Sequence, residues 1–169
     1  MKKLFFSAAA ILAFGLVSAQ DIKFGAKAGF ASLSGKLESA GVSATGSDSG
    51  FFVGGFAEIP LSETFAFKPE LLYVAVGDVN QVQVPLHLKY TIAEGFGLLA
   101  GPNLAFITGA EDGMKSFNYG VDFGASYDIT ETLVVDARYN LGLANLLEDG
   151  DSDNSYKISG FYVGLGYRF

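Results

Sequence analysis

Apolar and polar side chains alternate with a period of two from Asp21 to Phe169. Successive side chains of a β-strand point to opposite faces, so this period predicts strands and leaves no convincing helix. Turn-forming residues interrupt the pattern at short intervals. The pattern predicts an all-β fold of eight strands, at residues 21–32, 50–60, 65–76, 81–92, 96–107, 118–129, 133–145 and 157–169.

The segments between these strands alternate in length. Short connections at 61–64, 93–95 and 130–132 all fall at one end of the predicted sheet. The segments at the other end are 33–49, 108–117 and 146–156, which are longer, and 77–80, which is a short exception. Tight turns at one end and longer loops at the other are typical of an antiparallel up-and-down barrel of the outer-membrane type.

Each predicted strand has one apolar and one polar face. In the strand 81–92 the apolar face carries Val82, Leu86 and Ile92, and the opposite face carries Gln83, His87 and Lys89. The apolar faces hold no charge away from the strand ends. The polar faces hold Lys23, Lys27, Glu58, Lys68, Glu70, Lys89, Asp122, Asp128, Asp136, Arg138 and Arg168.

Two features indicate that the apolar face meets lipid and the polar face lines the interior. The polar face is rich in glycine, which a narrow lumen needs beside long side chains and a solvent-exposed face does not. The apolar face carries aromatic residues near both strand ends, as in the interfacial girdles of membrane barrels. A secreted soluble barrel of lipocalin type, with the faces reversed around an apolar ligand, stays the less favoured alternative.

Eight strands enclose a narrow lumen that side chains fill. The inward basic residues, Lys23, Lys27, Lys68, Lys89, Arg138 and Arg168, nearly balance the inward acidic ones. Buried charges must be paired or hydrogen-bonded, so we expect a salt-bridge network that plugs the lumen. The expected clusters are Glu58 with Lys68 and Glu70, and Asp122 with Asp136 and Arg138.

Three prolines, Pro69, Pro85 and Pro102, fall inside predicted strands. Proline has no amide hydrogen to donate to the sheet. Each proline therefore predicts either a bulge or a missing hydrogen bond, at a position that the sequence does not fix.

The first residues resemble a secretory signal peptide. Lys2 and Lys3 precede an apolar stretch from Leu4 to Val17, and small residues follow up to Ala19. The apolar stretch is short for a transmembrane helix, and no charged stop-transfer sequence follows it. We expect cleavage after Ala19, so that residues 1–19 are removed and residues 20–169 form the barrel domain.

Composition argues against several classes of function. The chain contains no cysteine, which excludes disulfides, thiolate metal sites and a cysteine nucleophile. Its net charge of −7 and its low charged fraction of 17% argue against nucleic-acid binding. The one histidine, His87, is the only candidate general base, and its position inside a strand favours a structural role. We predict no enzymatic activity and no cofactor.

Acidic residues at alternate positions in one loop give a weak calcium signal. The candidate ligands are Asp149, Asp151 and Asp153. An EF-hand requires glycine where this sequence has Asn154 and glutamate where it has Gly160. A solvated acidic loop is therefore the favoured interpretation, and calcium binding is the alternative.

Several segments resemble the PorT-like family of outer-membrane β-barrels. They are Phe56–Glu63, Lys68–Tyr73, Val84–Tyr90, Gly101–Asn103, Ala137–Leu143 with Asn145, and Gly166–Phe169. The similarity covers essentially the whole chain after the signal segment and includes the three prolines. His87 departs from the pattern, since an aliphatic residue is expected there. The resemblance implies an eight-stranded outer-membrane barrel, and it implies that the terminal Phe169 is read by the barrel-insertion machinery. It implies no activity.

These observations together predict an integral protein of the bacterial outer membrane with a structural, adhesive or interaction role through its outer loops. Outer-membrane lipid and the insertion machinery are the expected partners, and an extracellular or envelope protein is a further one. A small-solute pore, or a barrel associated with transport or secretion, is the alternative function.

Overall fold

A computed structural model of the chain describes residues 22–39, 41–109, 113–148, 150 and 154–169. The strands are β1 (Lys23–Ser39), β2 (Val42–Pro60), β3 (Phe65–Val76), β4 (Val79–Ala93), β5 (Phe96–Thr108), β6 (Phe117–Asp128), β7 (Leu133–Gly142) and β8 (Asn154–Arg168). Each strand pairs antiparallel with the next, and β1 pairs with β8, so the sheet closes into a barrel. The predicted eight-stranded antiparallel barrel is confirmed.

Two sequence expectations fall outside the part of the chain that the structure describes. They are the signal peptide at residues 1–19 and the calcium candidates Asp149, Asp151 and Asp153. The described residues contain no helix that is long and apolar enough to cross a bilayer.

The apolar face of the strands points outward, as the alternation predicted. Phe24, Phe123 and Leu165 are each at least half exposed on the outer wall. Lys27, Lys68 and Asp122 have the opposite parity and are buried in the lumen. A soluble barrel would bury the apolar face, so the lipocalin-like alternative is wrong. A closed sheet also leaves no edge in the membrane, where an unpaired backbone group is costly.

Aromatic side chains on the outer wall pair across strands near both barrel ends. Phe65 and Tyr90 stack with ring centroids 4.8 Å apart near the turns, and Phe106 lies 5.0 Å from Phe117 near the outer end. Between the two ends the band is not purely aliphatic, because the cross-strand neighbours Phe123, Tyr139 and Phe161 interrupt it. The girdle arrangement fits the two interfaces of a bilayer.

The largest difference from the sequence prediction lies in the predicted loop 33–49, where residues 33–39 and 42–49 form paired strands. β1 pairs with β2 as far as Ser39 and Val42, and with β8 as far as Ser39 and Asn154. Gly41, directly before β2, has a φ of 82°, a left-handed conformation that favours glycine. We call this three-stranded extension the outer blade; it comprises residues 33–39, 42–49 and 154–159.

The prolines interrupt hydrogen bonding without shifting the register. The β2–β3 pairing skips from Phe56 to Ile59 beside Pro69, and the β4–β5 pairing skips from Pro85 to Leu88, opposite Pro102. In both places the register is the same on either side of the gap. Among the described strand pairs, the one register shift lies between Thr91 and Ala93. The prolines therefore produce missing hydrogen bonds and not bulges.

Candidate functional site

The lumen holds most of the polar chemistry of this chain. Glycines on the inner face let neighbouring strands approach so closely that no side chain fits between them. A Cβ added to Gly54 would collide with the backbone carbonyl of Leu71, and one added to Gly142 would collide with that of Ile158. The tight curvature of an eight-stranded wall leaves space only for the long side chains that project between these glycines.

A first group of charged side chains, the central cluster, lies midway along the lumen. It comprises Lys27, Lys68, Glu70, His87, Asp122, Asp136 and Arg138. Lys27 Nζ lies 3.1 Å from Glu70 Oε2 and 2.6 Å from Asp136 Oδ2. Arg138 Nη1 donates to Glu70 Oε2 at 2.8 Å, across the barrel from β7 to β3. The side chains of the central cluster are at most 1% exposed, so they have exchanged water for one another.

The central cluster is balanced in charge. Its three basic side chains, Lys27, Lys68 and Arg138, face three carboxylates. Aromatic rings add a second contact to the cations, since Lys68 Nζ lies 4.8 Å from the ring centre of Phe56 and Arg138 Cζ lies 4.6 Å from that of Tyr162. Such cation–π contacts partly replace the lost hydration of a buried cation.

A second group, the rim cluster, lies at the turn end of the lumen. Lys89 Nζ is 3.0 Å from Glu58 Oε1 and 3.5 Å from Asp128 Oδ2. Arg168 Nη2 bridges the same two carboxylates, at 2.9 Å from Glu58 and 2.7 Å from Asp128. Two cations and two anions form a closed square that joins β2, β4, β6 and β8.

The membership of these clusters agrees with the sequence expectation in part, since Lys68 pairs with Glu70 and Arg138 with Asp122 as expected. The other pairings differ. Glu58 pairs with Lys89 and Arg168 and not with Lys68 and Glu70. Asp136 pairs with Lys27 and Lys68, whereas Arg138 pairs with Glu70 and Asp122. The expectation considered adjacent strands only. In so narrow a lumen, side chains at the same height meet across the barrel.

Lys23 does not belong to the lumen network. It begins β1 at the turn end, where its side chain is exposed, and it forms no ion pair within the described part of the chain. The expectation followed strand parity, which gives the face of a residue but not its height. A strand terminus projects beyond the barrel wall into water.

Sequence reasoning missed a layer of buried amides above the central cluster. Asn140 Nδ2 and Asn103 Nδ2 donate to Asp122 Oδ1 at 2.6 and 3.2 Å. Gln83 Nε2 donates to the Tyr162 hydroxyl at 2.6 Å. These residues lie on the polar parity of their strands, so the alternation contained the signal, but attention to charged residues alone did not find it.

Sequence reasoning also missed an apolar cap over the outer half of the lumen. It consists of buried residues from five segments of the chain: Ala31, Leu33, Phe52, Leu72, Val74, Val76, Ala144, Leu146, Ile158 and Tyr162. The signal was the unbroken apolar run Leu71–Val76, where both faces of β3 are apolar. A strand with one face toward lipid and the other packed in an apolar core reads as such a run, as does a strand that is buried on both faces.

The geometry offers no support for catalysis at His87. The imidazole is fully buried, and its Nε2 lies 2.8 Å from Asp122 Oδ2. No serine hydroxyl in the described structure is hydrogen-bonded to the ring, so the pairing needed to activate a nucleophile is missing there. In the same part of the chain, no group of three histidine, aspartate or glutamate side chains is arranged to hold a metal ion.

Comparisons with known proteins agree with the architecture. The sequence matches the family of outer membrane protein beta-barrel domains over residues 5–169. Among solved structures, the attachment invasion locus protein Ail of Yersinia pestis is similar, with a TM-score of 0.51 and 16% identity over 87% of this chain and 98% of Ail. OprG from Pseudomonas aeruginosa is also similar, with a TM-score of 0.46 and 17% identity over 87% of this chain and 95% of OprG.

A comparison with curated protein sequences finds no significant match. The narrower PorT-like resemblance stays a prediction. The family match spans nearly the whole chain, and the closed barrel with its apolar outer wall is the structure that such a domain requires. The chain therefore belongs to the family of outer membrane protein beta-barrel domains and is an integral protein of the bacterial outer membrane.

Proposed function

We propose that this chain is a sealed outer-membrane barrel that presents its outer blade to a protein partner at the cell surface. The blade is the observation that carries the proposal. Its three strands extend the barrel wall outward beyond the point where β3 pairs with β2, at Gly50 and Val76. Export by the signal peptide at residues 1–19 and insertion guided by Phe169 belong to the same proposal.

The outermost strand of the blade has one free edge. Residues 42–49 of β2 pair with β1 on one side, and no strand pairs with them on the other side within the described structure. All eight of these residues are exposed. They include no proline or lysine, the residues that usually protect an edge strand from pairing. An extended segment of a partner could add a strand to such an edge.

The lumen geometry supports a sealed barrel over the alternative of a small-solute pore. From the turn end to the outer end, the lumen holds the rim cluster, then the central cluster, and then the amide layer packed beside the apolar cap. A permeating ion would have to separate buried ion pairs and then displace packed amide and apolar side chains. Separating a buried pair costs several kcal/mol, on the order of 3–5.

Photo-crosslinking in intact cells tests whether the outer blade contacts a protein partner. A photoreactive amino acid replaces Ser43 or Thr45 in the blade, and in a matched control it replaces Glu63 in a turn at the opposite end. We expect a discrete protein adduct from the two blade positions and none of the same mass from Glu63. Absence of an adduct from the blade, or the same adduct from Glu63, contradicts the proposal.

A shortened blade provides the second arm of the experiment. Replacing residues 36–45 by Asn-Gly joins Gly35 to Gly46, which already face each other across β1 and β2, by a two-residue hairpin turn. We expect this variant to fold, as judged by a mobility shift on boiling. With the photoreactive residue moved to Ser47, we expect it to lose the adduct.

A further inference from the structure

The outer mouth of the barrel contains an apolar pocket that the sealed-barrel function does not use. It consists of two joined recesses of about 530 and 320 Å³, which share Asp78, Val79, Tyr156 and Ile158. Leu33, Leu37 and Val76 line the first recess, and Ile107, Met114 and Leu146 line the second. We call the two recesses together the outer pocket.

The floor of the outer pocket is closed. Leu33, Leu146 and Ile158 line it from above and belong to the buried apolar cap below. A molecule that enters from outside therefore stops at the cap and does not pass into the lumen. The volume falls within the range of small-molecule sites, and barrel mouths are a common position for them.

Two acidic residues lie at the rim of the outer pocket. Asp48 and Asp78 both line the first recess, and neither forms an ion pair with any residue that the structure describes. The carboxylate of Asp48 packs against Gly77, which directly precedes Asp78, so both acids lie on one side of the rim.

The nearby lysines do not neutralise these two acids. Lys36 Nζ lies 2.6 Å from Glu38 Oε1, and the hydrogen bond between them lowers the pKa of the Glu38 carboxyl. Lys115, at the second recess, donates to the backbone carbonyl of Asn145 at 3.3 Å. Among the described residues, the first recess therefore presents an apolar floor and two carboxylates without an ion-pair partner, one of which, Asp48, accepts a hydrogen bond from the backbone N–H of Ser49 at 2.8 Å.

We propose that the outer pocket binds a small apolar amine, with its hydrocarbon body on the apolar floor and its ammonium group beside Asp48 and Asp78. Tyr156 lines both recesses and adds an aromatic side chain to the site. A single aromatic ring with a short side chain fits the smaller recess. Because the cap closes the floor, the pocket retains the amine and does not transport it.

Methyl NMR of the full chain in lipid nanodiscs tests this assignment with three probes of similar shape. They are 2-phenylethylammonium, neutral 2-phenylethanol and anionic 3-phenylpropionate. We expect saturable shifts of the Ile107, Leu146 and Ile158 methyl signals. Exposed carboxylates contribute little each, so we expect the amine to bind about three- to tenfold more tightly than the alcohol, and the anion to bind least.

Two sets of variants separate the contribution of the carboxylates to amine binding from the contribution of the pocket shape. The double variant Asp48→Asn with Asp78→Asn should bring the amine to within about twofold of the alcohol, because exposed ion pairs are the source of the difference. Glu63→Gln with Glu94→Gln removes two exposed acids at the opposite end and should change nothing. Val79→Trp should fill the pocket and abolish the shifts, whereas Leu141→Trp on the lipid face should retain them.

Three results would contradict the inference. Shifts that never saturate, equal binding of the amine and the alcohol, or full binding by a folded Val79→Trp variant each contradict it. Folding of every variant is checked by its mobility shift on boiling. The photo-crosslinking result on the blade does not affect these outcomes, so the two proposals fail or succeed separately.

Discussion

Arg138 is the residue on which the central cluster depends most. Its guanidinium donates to Glu70 and lies 3.5 Å from Asp122, and its side chain is fully buried. Arg138→Met keeps most of the volume but removes one of the three cations that contact Glu70 and the arginine that faces Asp122. We expect a loss of about 3–5 kcal/mol in the free energy of unfolding, measured by urea denaturation in lipid vesicles.

The matched control for Arg138→Met is Lys36→Met. Lys36 and Glu38 form an exposed pair on the blade, with side chains 53% and 44% exposed. Solvent screens such a pair, so its loss should change the free energy of unfolding by less than about 1 kcal/mol. Equal costs for the two variants would show that the lumen charges are not the buried network described above.

At the residue scale, the substitution Gly54→Ala tests how closely β2 and β3 approach each other. A Cβ atom added to Gly54 would overlap the backbone carbonyl oxygen of Leu71 in β3, so a methyl group has no space there. We expect Gly54→Ala to destabilise the barrel by about 1–3 kcal/mol through overpacking. Gly46→Ala in the blade, where nothing lies within 4 Å, should cost less than about 0.5 kcal/mol. A neutral Gly54→Ala would contradict the strand spacing.

At the scale of elements, the outer blade should make the backbone amides of β1 and β2 differ in their protection from hydrogen exchange. Residues 33–39 of β1 have a paired strand on both sides, whereas residues 42–49 of β2 have one only. In native-state hydrogen exchange we expect protection throughout 33–39 and alternating protection in 42–49, because alternate amides face the free edge. Uniform protection of 42–49 would mean that another element covers this edge.

The blade also shows where sequence-based prediction of the elements fails. Strands such as those predicted at 81–92 and 133–145 could be found because one face must be apolar in lipid, which imposes a strict period of two. The second of them ends at Gly142 in the structure. The outward side chains of residues 33–39 and 42–49, such as Lys36 and Thr45, are polar, so the apolar period of a lipid-facing wall is missing there. Their serines and glycines are equally common in loops. What makes them strands is pairing with β8, which is distant in sequence.

The lumen shows the same limit for the candidate site. The parity rule places Lys27, Glu70, Asp136 and Arg138 on the inner face, where the structure has them. The rule does not give their height, which depends on strand tilt and register around the whole barrel. Partners across the lumen, such as Arg138 and Glu70, therefore could not be paired from sequence. The apolar cap was not predicted because the sequence does not distinguish apolar residues that face the lumen from those that face lipid.

At the scale of the whole molecule, the barrel separates three environments. Its outer wall is apolar, its lumen is charged and paired, and its outer mouth combines an apolar floor with acidic residues. In this arrangement the membrane stabilises the wall and the ion pairs occupy the lumen. In the two proposals made above, the outer blade and the outer pocket are the parts that bind molecules outside the cell.

The central claim is that the lumen is sealed, and single-channel recording in planar bilayers tests it most directly. The purified, folded full chain is inserted at low density, with folding verified by its mobility shift on boiling. The account predicts a bilayer that shows no discrete conductance steps after insertion. Reproducible steps that are lost or altered by Arg138→Ala would contradict it and would establish a pore through the central cluster.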